Sequence, residues 1–212
     1  MTIDPPASRS MLILALQRKY SRAGRGDLAD LALLRRNLPR LPGEADPRAI
    51  ALIAPHCGAT SDARDAGLLI ACLWAARHRA AAPAESTWNV GQALRATPEA
   101  ARERAWRSLC MATTATLPRR MAEVLDILAR CGVATDWHRL HRDLRSWHQG
   151  FRHLVLGRWS TGLFGPAPNG TPPHRASQSA VSDAAGISAI ASAHIGARPV
   201  IPQPARLPEL SS

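Results

Sequence analysis

The chain has 212 residues, enough to bury a core without disulfides or a structural metal. Its 27 lysines and arginines against 16 acids give a net charge of +11 and a pI near 11.3, which argues against an acidic binding surface and for a polyanionic partner. Lys19 is the only lysine, and so many arginines read either as guanidinium forks for phosphate or as codon bias in a GC-rich genome.

At the start, Asp4, Pro5 and Pro6 precede an apolar run, Met11 to Leu16, that is too short for a secretory signal. No run reaches the roughly 18 apolar residues of a membrane span, so the expected location is the cytoplasm. Leu28, Leu31, Leu34 and Leu38 then share one face of a helix that stops before Pro39, and Pro39 to Pro47 reads as a loop. On that helix Arg35 projects within the apolar sector, where it snorkels or pairs, while Arg36 projects to the flank and is the better phosphate contact. Ala66 to Ala76 is apolar throughout and predicts a central buried helix.

A small-residue linker, Ala80 to Ser86, follows, with a sub-boundary between two small helical sub-bundles expected near 80–97. Thr97 is expected to cap a helix with Pro98 in its first turn, carrying Arg102, Arg104 and Arg107 toward Cys110. Leu117, Met121, Val124, Leu125 and Leu128 mark the next amphipathic helix, closed by Gly132. Here Arg119 has Glu123 four residues on and is expected to pair with it, whereas Arg120 meets Glu123 only at three and is freer to reach a ligand.

Asp136 is the expected N-cap of the last long helix, on which Trp137, Leu140, Leu144, Trp147, Phe151 and Leu154 recur at spacings of three and four and form one apolar stripe. The rest of the wheel carries Arg139, Arg142, Arg145 and Arg152 with His138, His141, His148 and His153, against one acid, Asp143. Solvated faces usually mix both signs; this one reads as a footprint for a phosphate backbone, with a plain basic surface as the alternative. After Phe164 the composition changes: eight of the 17 prolines fall there among Ser, Ala and Gly, and the tail is expected to be disordered. It holds three arginines and two acids, so the first 165 residues keep a net +10.

Cys57, Cys72, Cys110 and Cys131 form no CxxC pair and read as buried free thiols in a reducing compartment. There is no phosphate loop with its Lys and Ser/Thr, no HExxH, no GxSxG and no carboxylate cluster for catalytic magnesium, which excludes the common NTPase and nuclease designs. His138, His141 and Asp143 are the nearest approach to a metal set, but Arg139 and Arg142 flank them and they read as solvated side chains. Trp74, Trp106, Trp137 and Trp147 sit on apolar faces, so the tryptophans read as core rather than stacking platforms.

The order of motifs resembles a known family. LALLRR (Leu31 to Arg36), LWAARH (Leu73 to His78), VGQAL (Val90 to Leu94), the LPRRM helix start and above all DWHRLHRDLRSW (Asp136 to Trp147) followed by RWSTGLF are similar to CasB, the small subunit of the type I-E CRISPR complex Cascade. The similarity spans about residues 28 to 164 and leaves out the tail. It implies an all-helical, non-enzymatic subunit without cofactor or metal, present in two copies beside a large subunit, repeated backbone subunits and a guide RNA. It further implies a basic surface that supports the guide–target duplex and holds the displaced DNA strand, reading backbone rather than bases. Carried over, Arg35 and Arg36 match the paired arginines of the first motif and Arg142 and Arg152 match basic positions of the last helix; Arg104, Arg107, Arg119 and Arg120 lie in the basic middle region. The expectation is therefore an all-α bundle over residues 1–165 that binds nucleic acid, with a disordered tail over 166–212. The alternatives are a free-standing helical DNA-binding regulator and a metal-dependent enzyme using His138 and His141.

Overall fold

Ser10 starts the first helix in the computed structural model, which describes residues 9–20, 28–40, 44–77 and 86–166. Its hydroxyl accepts the Ile13 N–H at 3.2 Å, satisfying one of the donors a helix start leaves open, and α1 (Met11–Tyr20) turns Leu12, Ile13, Leu16 and Tyr20 inward. α2 (Leu28–Asn37) buries Leu31 and Leu34 as their spacing predicts, and continues into a 3-10 turn, Leu38–Arg40. Leu28, expected on the same face, is exposed, because the first turn of α2 reaches beyond the core.

The loop expected over Pro39 to Pro47 is shorter than its composition suggests. Asp46 accepts the Arg48 N–H at 2.9 Å and Pro47, with its φ already near helical, opens α3 (Pro47–Ile53), which runs into a second 3-10 turn, Ala54–His56. Buried Asn37 ties this corner: its amide donates to Leu33 O at 2.9 Å and its oxygen accepts the Asp46 N–H at 2.7 Å. α4 (Ser61–Arg77) is the expected central helix, buried continuously from Ala66 to Ala75. The linker expected from Ala80 lies outside the described residues up to 85, as does the Pro-rich tail from 167.

α5 (Val90–Arg95) begins with a reciprocal cap in which Asn89 accepts the Gln92 N–H and Gln92 accepts the Asn89 N–H, both at 2.9 Å. Thr97 does not cap the next helix; its buried hydroxyl donates to Leu94 O at 2.7 Å and closes α5, and Pro98 immediately precedes α6 (Glu99–Cys110). α7 (Leu117–Arg130) buries Met121, Val124, Leu125 and Leu128 and is closed at Gly132, whose φ of 66° is the left-handed conformation expected past a helix end.

Asp136 caps α8 (Trp137–His148), accepting from His138 and Arg139 N–H at 2.8 and 3.1 Å. The long last helix expected from the unbroken stripe is in fact two. Gly150, at φ 88°, turns the chain, and α9 (Arg152–Phe164) sets off on its own axis. Phe151 and Leu154, the last two members of the stripe, are about half exposed as a result.

Among the described residues there are nine α-helices and no strand, and no helix is long and apolar enough to cross a membrane. α1, α2 and α3 pack on α4; α5 packs on α9 and α6 on α7; α8 lies against both α4 and α9. One continuous core runs through all of them and includes Leu34, Ile70, Leu94, Leu128, Trp147 and Trp159. Trp74, Trp147 and Trp159 are buried, while Trp106 and Trp137 pack against the core from its margin. Of the thiols expected to be buried only Cys72 is fully so, its pKa pushed up to about 12 by burial; Cys57, Cys110 and Cys131 are partly exposed.

Candidate nucleic-acid interface

The two faces of α8 divide the helix by chemistry. Leu140, Leu144 and Trp147 enter the core together with Asp143, which the helical wheel places on the charged face. Asp143 is 5% exposed; its Oδ1 accepts from Arg158 Nη2 and Nε at 2.7 and 3.2 Å, and its Oδ2 accepts from Trp159 Nε1 at 2.6 Å. Burial raises its pKa, and the Arg158 and Trp159 bonds work against that rise. The single acid of the basic face is thus removed from it and serves as the tie between α8 and α9.

What remains on the outer face is His138, Arg142, Arg145, Ser146 and Gln149, lining a cleft of about 400 Å³. The opposite wall comes from Arg9 and Ser10, ahead of α1, and from His56, Cys57 and Gly58 at the turn after α3. Ser10 fastens that wall to α8: its N–H donates to His138 Nδ1 at 3.0 Å and its hydroxyl lies 2.6 Å from His141 Nδ1. Among the described residues, Arg9, Arg142 and Arg145 form no ion pair and no acid lines the cleft. Arginines that converge without counter-charges raise the local positive potential and attract phosphate.

His141, read as solvated in the sequence, is buried, and burial together with Arg145 and His138 lowers its pKa to about 4. An imidazole that titrates near 6.5 when unfolded and near 4 when folded takes up its proton in the unfolded chain first, so stability falls as pH drops through that window. The loss reaches about 3 kcal/mol at most. Urea midpoints measured between neutral and acid pH should decline steeply in the parent and less steeply in His141→Gln; parallel declines would show that His141 does not carry the effect. His148, also lowered by burial against the opposing pull of Asp65 and Asp62, keeps part of the slope in the variant.

The ten arginines singled out by sequence scatter into distinct situations. Arg142 and Arg145 both line the cleft. Arg139 lies beside them on α8, 3.7 Å from the capping Asp136. Arg35 pairs, one of the two roles its position allowed: its Nε donates to Ala75 O at 2.8 Å and locks α2 to α4, whereas Arg36 is exposed. Arg104 and Arg107 are exposed on α6. Arg119 pairs with Glu123 at 3.8 Å as expected, but Arg120 also reaches Glu123, at 3.6 Å, and is the less exposed of the two, so it is not the freer one. Arg152 departs furthest from its place on the wheel, because it follows the Gly150 turn: its Nη2 donates to Cys110 O and its guanidinium sits 5.6 Å from the Trp147 ring centroid.

Arg9 and His56 were not read as site residues. Arg9 carries a weak sequence signal, a cation next to the serine that caps α1; His56 carries none, since the turn that presents it depends on α3. The metal reading has no geometric support, because Asp143 turns inward to Arg158 while His138 and His141 turn to Ser10. Among the described residues no three His, Cys, Asp or Glu side chains converge.

The sequence pattern of the family described as CRISPR-associated protein Cse2 matches residues 30–162. No curated protein matches the chain in sequence. Among solved structures, CasB from Thermus thermophilus superposes with a TM-score of 0.58 at 24% identity, over 74% of this chain and 96% of that one. CasB from Thermobifida fusca gives 0.56 at 19%, over 73% and 94%. A further Thermus thermophilus structure, of a CRISPR-associated protein of the Cse2 family, gives 0.54 at 25%, again over 73% and 94%. The match runs from within α2 to near the end of α9, taking in the buried α4 and both faces of α8, and on that extent the chain belongs to the CRISPR-associated Cse2 family.

Proposed function

We propose that this chain is the small subunit of a type I-E CRISPR Cascade assembly and that it works without chemistry of its own, by holding nucleic-acid backbone on the outer face of α8. The observation that carries this reading is the cleft lined by Arg9, Arg142 and Arg145, with no acid in its lining among the described residues. Guanidiniums there neutralise phosphates without reading bases, which suits an assembly whose sequence specificity comes from guide–target pairing. Arg139 extends the same face, and exposed Arg36, Arg104 and Arg107 supply further positive charge elsewhere on the helical surface. The partners are the large subunit, the repeated backbone subunits, a second copy of this chain, the guide RNA, and target DNA with its displaced strand. Residues 1–165 form the working domain.

Affinity purification of the full chain from its native host tests the assignment to an assembly. A guide RNA of uniform length and larger protein subunits should come along, and an Arg9→Ala, Arg142→Ala, Arg145→Ala variant should still assemble, since all three side chains lie outside the core. Recovery of the chain alone, from a host expressing the complex, would refute the subunit reading.

A further inference from the structure

Within the α8 face that holds backbone, the cleft forms a discrete volume that a strand track alone does not require. A single-strand groove follows the backbone along an extended surface and meets one negative charge per phosphodiester. Here arginines from two separate stretches of chain, Arg9 before α1 and Arg142 and Arg145 on α8, line one half-open volume of about 400 Å³, which His56 also lines from the turn after α3. That volume is in the range of small-ligand pockets. Among the described residues the apolar lining is confined to small or flexible side chains such as Met11 and Ala63, with no Phe, Tyr or Trp on which a base could stack. Charge is therefore what the cleft can recognise. The wall is also held before any ligand arrives, because the N–H and hydroxyl of Ser10 bind His138 and His141 and keep the Arg9 segment against α8.

We propose that this cleft is a seat for a phosphate monoester, the terminal phosphate of a nucleotide or of a 5′-phosphorylated strand end. A monoester approaches two negative charges at neutral pH and offers three oxygens, which matches three arginines with no acid between them among the described residues better than a diester does. Arg forks grip such a group bidentately, while the attached sugar and base extend out of the open side of the cleft. The proposal rests on the reading of α8 as a phosphate-binding face, and adds to it a discrete and saturable site.

The test titrates the full chain with inorganic phosphate, with adenosine monophosphate, and with one oligonucleotide carrying or lacking a 5′-phosphate, following backbone amides by NMR. Saturable shifts confined to residues 9–11, 56–58 and 138–149 are expected, with affinity of about millimolar or tighter for phosphate alone. The 5′-phosphorylated strand should bind about tenfold more tightly than the bare one, and Arg142→Ala with Arg145→Ala should weaken phosphate and monophosphate about tenfold while Arg36→Ala with Arg104→Ala does not. Stronger binding of adenosine monophosphate than of the phosphorylated strand would identify the free nucleotide as the source, and the reverse would identify the strand end. Should circular dichroism show the double variant misfolded, Arg9→Ala, at an exposed position outside any helix, supplies the answer. Equal affinity for the bare and phosphorylated strands would overturn the seat and leave the cleft as part of a strand track, as the proposed function holds. No localised shift with phosphate would overturn it as well. Loss of phosphate binding in the double variant with the affinity of the bare strand and its salt dependence unchanged would uphold the seat and refute backbone binding at α8.

Discussion

Gly91→Ala should remove much of the protein's margin of stability, while Gly157→Ala should leave it unchanged or slightly higher. α5 crosses α9 so closely that a Cβ on Gly91 would fall inside contact distance of the Trp159 carbonyl and its Cα, all of it main chain that cannot rotate away. The crossing is tight from the other side too, where a Cβ on Gly162 would lie 2.6 Å from Asn89 Oδ1 and 2.9 Å from the Gln92 nitrogen. Overpacking of this kind costs about 3 kcal/mol when the obstacle is backbone, roughly a 10 °C fall in Tm for a domain of this size. Gly157 sits at an exposed position of α9 with nothing within 4 Å of its would-be Cβ, so alanine there gains the usual helix preference of about 0.5–1 kcal/mol. Thermal melts of the two variants should move in opposite directions. Equal shifts would show that the α5–α9 crossing is not as close as described.

Asp143→Ala should be as damaging, for an electrostatic reason. It leaves the Trp159 indole N–H buried without an acceptor, which costs about 1–3 kcal/mol, and the half-exposed Arg158 guanidinium without its carboxylate, which adds less. Arg158→Ala should cost much less, since Arg158 is 44% exposed and the carboxylate keeps the Trp159 bond. Urea denaturation with unchanged m-values measures both, and a loss below about 1 kcal/mol for Asp143→Ala would mean that this carboxylate does not tie α8 to α9.

These two positions also mark where the sequence was legible. The period of Trp137, Leu140, Leu144 and Trp147 and the cap at Asp136 fix α8 correctly, because both depend only on neighbours within two turns. The same period carried on through Phe151 and Leu154 by coincidence, and the φ of 88° at Gly150 broke the helix that periodicity alone extended. Asp143 looked like a surface acid between Arg142 and Arg145, since its true partners lie 15 and 16 residues on, across that break. Arg152 was displaced for the same reason. α3 is a helix that Asp46, Pro47 and Asn37 impose on a Pro/Gly-rich stretch, and α5 takes shape from the Asn89–Gln92 cap. On the charged surface, the sequence located Arg142 and Arg145 but could not supply Arg9, which reaches them only because Ser10 binds two histidines about 130 residues away. Local periodicity reads faces; it does not read which faces meet.

The central claim is that the outer face of α8 holds phosphate backbone, and the salt dependence of single-strand binding tests it most directly. Each arginine that neutralises a phosphate releases counterions and contributes a slope of roughly 0.7 in log affinity against log salt on single strands. Arg139→Ala, Arg142→Ala and Arg145→Ala together leave Leu140, Leu144 and Trp147 in the core, and Arg152, bound to the Cys110 carbonyl, is kept. The folded triple variant should bind single-stranded DNA more weakly without any change in sequence preference, its slope reduced by about 2 units. A slope equal to that of the parent would contradict the account.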